Sequence, residues 1–508
     1  MKASRFILCV ILLTTNLIAF SQSKPKKREF RGVWIHTVQQ SQYRTMSTSD
    51  MKQYFVNMLD VFQKTGINAF IFQVRPQADA FYKSELEPWS RFLTGEQGKE
   101  PNPSWDPMAF LIEECHKRNI EFHAWLNPYR VTNNENEVLS ENHLYNKSPE
   151  LFIKYGKQIY FDPGITQNRR HICNVVKDIV RRYNVDAIHM DDYFYPYPIA
   201  GEEFPDDSTF QVYAAKQGFK PHERANWRRN NVNMLIGEIK ETIYNTKPWV
   251  RFGVSPFGIY RNKINTKDGS GSETNGLENY SGLFADVLQW SRKSQIDYIV
   301  PQLYWEIGHK KADYSTLVKW WAANVNTEHL YIGQSLVNIN NYPSPTKPNS
   351  NQLPDKMRAI DSFPTISGNC LWNGYDILRN EGGIRDSLTK NYFRYPALVP
   401  AYSNMDNMPP KEVAKLMAEW TPIGYFLHWE PGIDKKDPSN IPTRYCIYRF
   451  KKGEKKDIND PSKIIAITSE TEYSLPYEKG LNSYKYVVTA IDKYNFESKK
   501  GKSKNVKL

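Results

Sequence analysis

The segment DAIHMDDYFYP, residues 186–196, runs an apolar strand straight into two adjacent aspartates and a cluster of aromatic rings. Carboxylates at the exit of a buried strand are costly unless something uses or neutralises them. The two-residue period of a strand separates the pair. Ile188 and Met190 are apolar and belong on the outer face, which turns His189 and Asp191 inward and leaves Asp192 at the loop edge. The same parity applied to FIFQVR, EFHAWLN and IVPQLYWE turns inward Gln73 and Arg75; His123, Trp125 and Asn127; and Gln302, Tyr304 and Glu306. Trp34 and His36 come from a first strand, Gln334 from a seventh, and Asp79 is a third candidate carboxylate in the loop after the second strand.

Asp191 and Glu306 come from different strands and aim at one pocket. Glycoside hydrolysis needs such a pair: one carboxylic acid protonates the leaving oxygen, while the other attacks carbon or activates water. A separation of about 5–5.5 Å predicts retention of configuration and ~6.5–9.5 Å predicts inversion. Arg75 or His189 could hold one carboxylate ionised, and burial against Trp305 or Tyr304 could keep the other protonated. Asp192 is read as support for Asp191. The expected sugar contacts are Trp34, His36, Gln73, Asp79, His123, Trp125, Asn127, Tyr193, Gln302, Tyr304, Trp305 and Trp372. Two other readings stay open. His189, Asp191 and Asp192 could hold a divalent metal, as in a metal-dependent polysaccharide deacetylase. Alternatively, the pocket binds glycan without cleaving it. The favoured reading needs no metal and no cofactor.

The elements that would position these residues alternate along the chain. Apolar strands at 30–36, 68–75, 121–127, 185–191, 250–257, 297–305, 330–336 and 367–373 are separated by helical patterns at 50–65, 107–119, 168–183, 224–246, 281–293, 313–325, 352–361 and 382–391. Eight such units over 29–394 predict an α/β (β/α)8 TIM barrel. No strand is followed by the Gly-rich phosphate loop that would favour a doubly wound sheet. A Pro-rich linker follows at 395–410. Short alternating strands over 411–508, with an early Trp429 and YKYVVTA, resemble a fibronectin type III β-sandwich.

Residues 1–21 read as a signal peptide: Lys2 and Arg5 precede an apolar run that ends on Ala19-Phe20-Ser21. Residues 22–28 form a basic linker. No later run is long enough to cross a membrane, so the expectation is an exported, periplasmic or extracellular protein. Cys115, Cys173, Cys370 and Cys446 lie far apart in apolar settings and predict no disulfide framework. The formal charge of +12 suits an anionic glycan, and no nucleic-acid module accompanies it. The 32 Tyr and 13 Trp, many beside Asn, Gln and Asp, suit sugars. Oligomeric state is left open.

REFRGVWIHT, FIFQVRPQADAFYKSELEPWSRFLTGEQG, EFHAWLNPYRV, DAIHMDDYFYP and DYIVPQLYWEIG, in that order over residues 28–340, resemble the glycosyl-hydrolase-like family 10, or YngK-like, domain. The resemblance implies a TIM barrel and glycan hydrolysis in bacterial envelopes, including peptidoglycan strands stripped of their peptides. IHMDD is also similar to the fourth-strand signature of α-amylase-like barrels, where an inward basic residue precedes an Asp nucleophile by two positions. Here that residue is His189, and the fifth strand, VRFGVSPFGIY, lacks the acid/base Glu of that clan. The acid assignment therefore moves to Glu306.

Overall fold

The computed structural model describes residues 25–347, 349–406, 408–434 and 440–508; the segment read as a signal peptide lies outside them. Eight parallel strands close into a barrel: β1 (Phe30–Ile35), β2 (Ala69–Arg75), β3 (Glu121–Leu126), β4 (Ala187–Met190), β5 (Arg251–Val254), β6 (Tyr298–Ile299), β7 (His329–Ser335) and β8 (Ile366–Trp372). Each strand pairs with the next, and β8 closes on β1 through Phe30 opposite Gly368. The outer helices include α1 (Thr48–Thr65), α2 (Pro107–Lys117), α3 (Thr166–Arg182), α4 (Arg224–Thr246), α5 (Val287–Arg292), α6 (Tyr314–Asn324), α7 (Leu353–Asp361) and α8 (Gly374–Arg379). Local chemistry sets their ends. Asp106 caps α2 by accepting from the Ala109 amide at 3.0 Å, and Pro107 starts it.

The two-residue period sorts the strand side chains into two cores. Val33, Phe70, Phe72, Phe122, Ala124, Ile188, Met190, Ile299 and Leu303 face the helices. Phe30, Trp34, Ile71, Trp125, Ala187, Tyr298 and Tyr331 fill the barrel interior. The fourth, fifth and sixth strands are shorter than their expected runs, the sixth most of all. Pro301 cannot donate to a ladder, so β6 stops at Ile299 and pairing resumes only at Gln302. The eighth unit also departs: α8 begins at Gly374, eight residues ahead of the expected start, capped by the Asn373 side chain on the Asp376 amide.

The C-terminal part consists of two antiparallel sheets built from β9 (Lys415–Thr421), β10 (Gly424–Glu430), β11 (Arg444–Lys451), β12 (Ile464–Thr468), β13 (Glu472–Ser474), β14 (Ser483–Ile491) and β15 (Lys502–Lys507). Their orders are β9-β10-β13 and β12-β11-β14-β15, and Leu427, Trp429, Tyr445, Ile447, Tyr486 and Val488 share a core. The Pro-rich segment between barrel and sheets is part of the barrel's closure. Val399 and Tyr402 join the interior cluster at the N-terminal ends of the strands, with the Tyr402 hydroxyl 2.8 Å from that of Tyr331. Asn495 of the C-terminal part donates to Glu121 at 3.0 Å. The sheets thus cover the barrel end opposite its C-terminal mouth.

Candidate active site

At the mouth, Asp191 and Asp192 follow β4 and are buried, at 4 % and 3 % exposure. Trp125, at the end of β3, donates its indole N–H to Asp191 Oδ2 at 3.0 Å, and the Tyr193 amide donates to Oδ1 at 3.4 Å. Asp192 accepts from Gln302 Nε2 at 3.1 Å and from the Tyr197 hydroxyl. Burial, then the neighbouring Asp192 charge, pushes the Asp191 carboxyl well above the ordinary carboxylate range, against the pull of Arg130 and Trp125. Burial raises Asp192 too, against its bonds from Tyr197 and Gln302. Among the described residues neither carboxylate has an ion-pair partner, so the pair holds a proton that an exposed pair would have lost.

Aromatic rings wall this pair. Trp372, ending β8, stands 6.2 Å from Trp125 and stacks on Tyr304 at 6.5 Å, ring centre to ring centre. The charges of Asp192 and Asp191 are felt at the buried Tyr304 hydroxyl. His36 lies against Trp372 at 4.9 Å. The Arg130 guanidinium lies 3.9 Å from the Tyr193 ring centre. A buried carboxyl that keeps its proton, beside flat apolar faces and hydrogen-bonding amides, suits protonation of a sugar's leaving oxygen.

Beneath the pair, a directed hydrogen-bond chain runs down the barrel axis. Trp34 Nε1 is 3.2 Å from His189 Nε2, and an indole nitrogen only donates, so Nε2 must accept. Ser255 Oγ also reaches Nε2, at 3.0 Å. The proton of the imidazole therefore sits on Nδ1 and points to the Tyr298 oxygen at 3.0 Å. Tyr298 in turn donates to His123 Nδ1 at 2.8 Å, and His123 Nε2 donates to Glu121 at 3.1 Å. Burial lowers the affinity of both histidines for a second proton, which agrees with two neutral rings. The His123–Glu121 contact is thus a hydrogen bond from a neutral imidazole, and Arg251, 2.9 Å from Glu121, balances the carboxylate. Only glycine at position 253 leaves room for the Tyr298 ring, since a Cβ there would stand 2.0 Å from the ring's Cζ.

The structure redistributes the expected residues. Asp191, Asp192, Trp125, Tyr193, Gln302, Tyr304, Trp372 and His36 come together at the mouth. Arg75 does not: Gln73 pairs with inward Trp125 but Arg75 pairs with outward Leu126, so an inserted residue throws Arg75 to the helix side. There it meets Glu87 at 2.5 and 2.7 Å, and His171 of α3 also reaches Glu87, at 2.9 Å. His189 and His123 lie below the pocket in the chain just described. With its Nε2 taken by Trp34 and Ser255, His189 does not complete a metal cage, and among the described residues no three His, Cys, Asp or Glu side chains converge as one would need.

Glu306 is half-buried beyond β6, and its charge is felt by Lys356 of α7. Among the described residues, no hydrogen bond joins it to the Asp191 group. Asp79 is buried in its own loop, bonded by Gln97 at 3.2 Å and the Gln77 amide at 3.3 Å. Gln73 clamps the β1 loop through the Thr37 amide at 3.0 Å. Trp305 packs on Phe257 at 5.4 Å behind the pocket wall. Gln334 faces outward to Met357 of α7, because Tyr331 rather than its neighbours takes the inner parity of β7.

Arg130, Tyr197, Ser255 and Tyr298 escaped the sequence reading. Arg130 was within reach of it: Asn127 Oδ1 accepts from the Tyr129 and Arg130 amides at 3.3 and 3.1 Å, a turn that NPYR encodes and that delivers the arginine to the mouth. Ser255 was within reach too, since Phe252 and Val254 facing the helices turn it inward on the expected strand 250–257, whereas Tyr197 carries no comparable signal.

A carboxylate pair in an aromatic-walled mouth at the C-terminal end of a (β/α)8 barrel is the architecture of the glycoside-hydrolase-like barrels. Residues 29–350 match the family model described as Glycosyl hydrolase-like 10. The chain belongs to that family. It is 39% identical over 511 residues to Glycosyl hydrolase YngK of Bacillus subtilis (strain 168), covering 98% of each chain. It is 34% identical over 378 residues to Glycosyl hydrolase DigH of Escherichia coli (strain K12), covering 69% of this chain and 84% of that one. Among solved structures, the glycoside hydrolase domain of PgaB (BpsB) from Bordetella bronchiseptica is similar with a TM-score of 0.45 and 10% identity, over 72% of this chain and 99% of that one.

Proposed function

We propose that the protein is an exported glycoside hydrolase cleaving O-glycosidic bonds in a bacterial envelope or environmental polysaccharide, with peptidoglycan glycan strands the first substrate to test. The observation that carries this is Asp191, a buried carboxyl with no ion pair among the described residues, held protonated beside Asp192 in an aromatic-walled mouth. Family membership and the names of the curated relatives support the class of reaction. The N-terminal apolar run supports export.

In this reading Asp191 gives its proton to the leaving oxygen as the glycosidic C–O bond breaks. Asp192, kept closer to its ionised form by Tyr197 and Gln302, faces the positive charge that develops on the sugar. Glu306, beyond β6 and expected from the sequence as the acid, becomes in this reading the carboxylate that activates water, and Tyr304 and Trp372 supply the stacking face. Purified glycan strands incubated with the wild type should yield new reducing ends, read by product mass. Asp191→Asn should lower turnover by about 10²–10⁴-fold while still binding the strands. Equal cleavage by both proteins, or no cleavage across a broad glycan panel, sinks the assignment. A Glu306→Gln protein with wild-type turnover would remove Glu306 and leave the Asp191–Asp192 pair to do the work.

A further inference from the structure

Beside the Trp372 wall, on the same barrel mouth, a cavity of about 370 Å³ opens over the ends of β1 and β8. His36, Gln40, Gln42, Asn373, Tyr375 and Arg379 line it. Its size falls within the roughly 300–1,000 Å³ of small-molecule pockets. His36 belongs to both compartments, since its ring lies 4.9 Å from Trp372, which in turn meets Trp125, the donor to Asp191.

The hydrogen bonds of the lining have a defined direction. Gln42 Nε2 donates to Gln40 Oε1 at 2.9 Å, which turns the Gln40 amide nitrogen toward His36 Nε2, 2.6 Å away. An amide nitrogen only donates, so Nε2 accepts and the His36 proton sits on Nδ1. Among the described residues that nitrogen is buried without a hydrogen-bond partner. Asn373 spends its Oδ1 on the α8 amide, and among the described residues its Nδ2 has no hydrogen-bond partner. The cavity thus offers the Asn373 amide N–H group to an oxygen-rich ligand, and the unpaired His36 N–H lies buried in its wall. Its one cation is already balanced, because Arg379 pairs with Asp376 and with Glu381 at 3.0 Å. An anionic group gains little there, whereas hydroxyl, ether and amide oxygens find donors.

We propose that this cavity is a second sugar subsite, which takes an uncharged residue of the glycan on the far side of Trp372 from the Asp191 pair. It rests on the glycoside-hydrolase reading and adds that the enzyme grips several consecutive sugars, so that chain length governs its efficiency. Gln40 and Gln42 are the residues that hold the subsite's donors in register.

N-acetylchitotetraose and N-acetylchitobiose serve as uncharged probes. With the Asp191→Asn protein, calorimetry should show the tetramer binding more tightly than the dimer. Adding Gln40→Ala and Gln42→Ala should cut tetramer affinity about tenfold, the cost of one to two hydrogen bonds, and narrow the gap between the two probes. In the Asp191-intact background the same double variant should lower kcat/KM on long glycan strands relative to short ones, through KM. An Asn373→Asp protein provides a second reading that keeps the cavity's shape: it loses an N–H donor and should weaken the tetramer selectively. Equal losses for both probes, or none for the tetramer, overturn the subsite while leaving the catalytic assignment intact. Tetramer binding with no cleavage of any glycan by the wild type overturns the hydrolase reading and keeps the subsite. Absence of both binding and cleavage overturns both.

Discussion

Glu121 opens β3 at one end of the barrel, and Asp191 follows β4 at the other. Both carboxylates are buried, and one hydrogen-bond chain through Tyr298 leads from Glu121 to the histidine beneath Asp191. Their surroundings differ in a single respect. Arg251 lies 2.9 Å from Glu121, with Asn495 adding a donor, so the carboxyl is held well below its ordinary range. Asp191 accepts from the Trp125 indole and the Tyr193 amide and feels Arg130 at a distance, but burial and a second carboxylate beside it outweigh them, and its carboxyl is pushed up. Arg75 with Glu87 repeats the compensated arrangement behind β2. Within one fold, Glu121 and Glu87 are each balanced by an arginine, whereas Asp79 is buried on amide donors. What sets Asp191 and Asp192 apart from all three is that two buried carboxyls lie side by side at the mouth.

The largest expected effects come from neutralising each carboxylate. Asp191→Asn should abolish most activity yet leave thermal stability equal to or above that of wild type, because a carboxyl without a partner is replaced by a neutral isostere. Glu121→Gln should do the reverse in kind. It strands the buried Arg251 and costs about 3–5 kcal/mol of stability, measurable by denaturant unfolding monitored through the tryptophans. If Asp191→Asn destabilises as much as Glu121→Gln, the two ends are not different in the way argued.

The second effect concerns pH. A folded protein whose Asp191 carboxyl titrates above its unfolded value keeps a proton that the unfolded chain has released. From about pH 4 upward to that raised value, this group therefore costs stability as pH rises. Glu121, titrating below its unfolded value, contributes stability at neutral pH that is lost as pH falls through and below about 4. Unfolding curves across this range should show Asp191→Asn flattening the decline that runs from about pH 4 up to the raised Asp191 value, and Glu121→Gln flattening the loss of stability below about pH 4. The opposite assignment of limbs would break the comparison.

Much of this contrast was legible in the sequence, and the part that was not has a physical reason. Strand parity placed Asp191 and Trp125 inside because their strands are regular, and Gln302 and Tyr304 because the alternation of apolar residues carries on past the break at Pro301. It misplaced Arg75 because one inserted residue at the end of β2 reverses every side chain beyond it. It misplaced Gln334 because β7 carries large residues on both faces, and Tyr331 took the interior. The charge state of Glu121 was illegible, since its partner Arg251 is 130 residues away in the chain and meets it only when the barrel closes. The tautomer of His189 likewise depends on Trp34, a neighbour across the barrel interior.

The smallest effect tests how finely the mouth is tuned. Trp125 donates to Asp191 in its charged form, and so pulls the carboxyl down against the burial that raises it. Trp125→Phe keeps a ring in the wall but removes that donor. Asp191 should then hold its proton to a higher pH, and the alkaline limb of kcat/KM, which marks loss of the general acid, should move upward by about one pH unit, the equivalent of ~1.4 kcal/mol. Turnover at neutral pH should fall only severalfold, because the acid stays protonated there. An acid limb that moves upward in its place would mean that Asp191 works ionised, and the proton for the leaving oxygen would then have to come from Glu306 or Asp192. A limb that does not move would place the titrating acid beyond reach of the Trp125 indole, which among the candidates leaves Glu306.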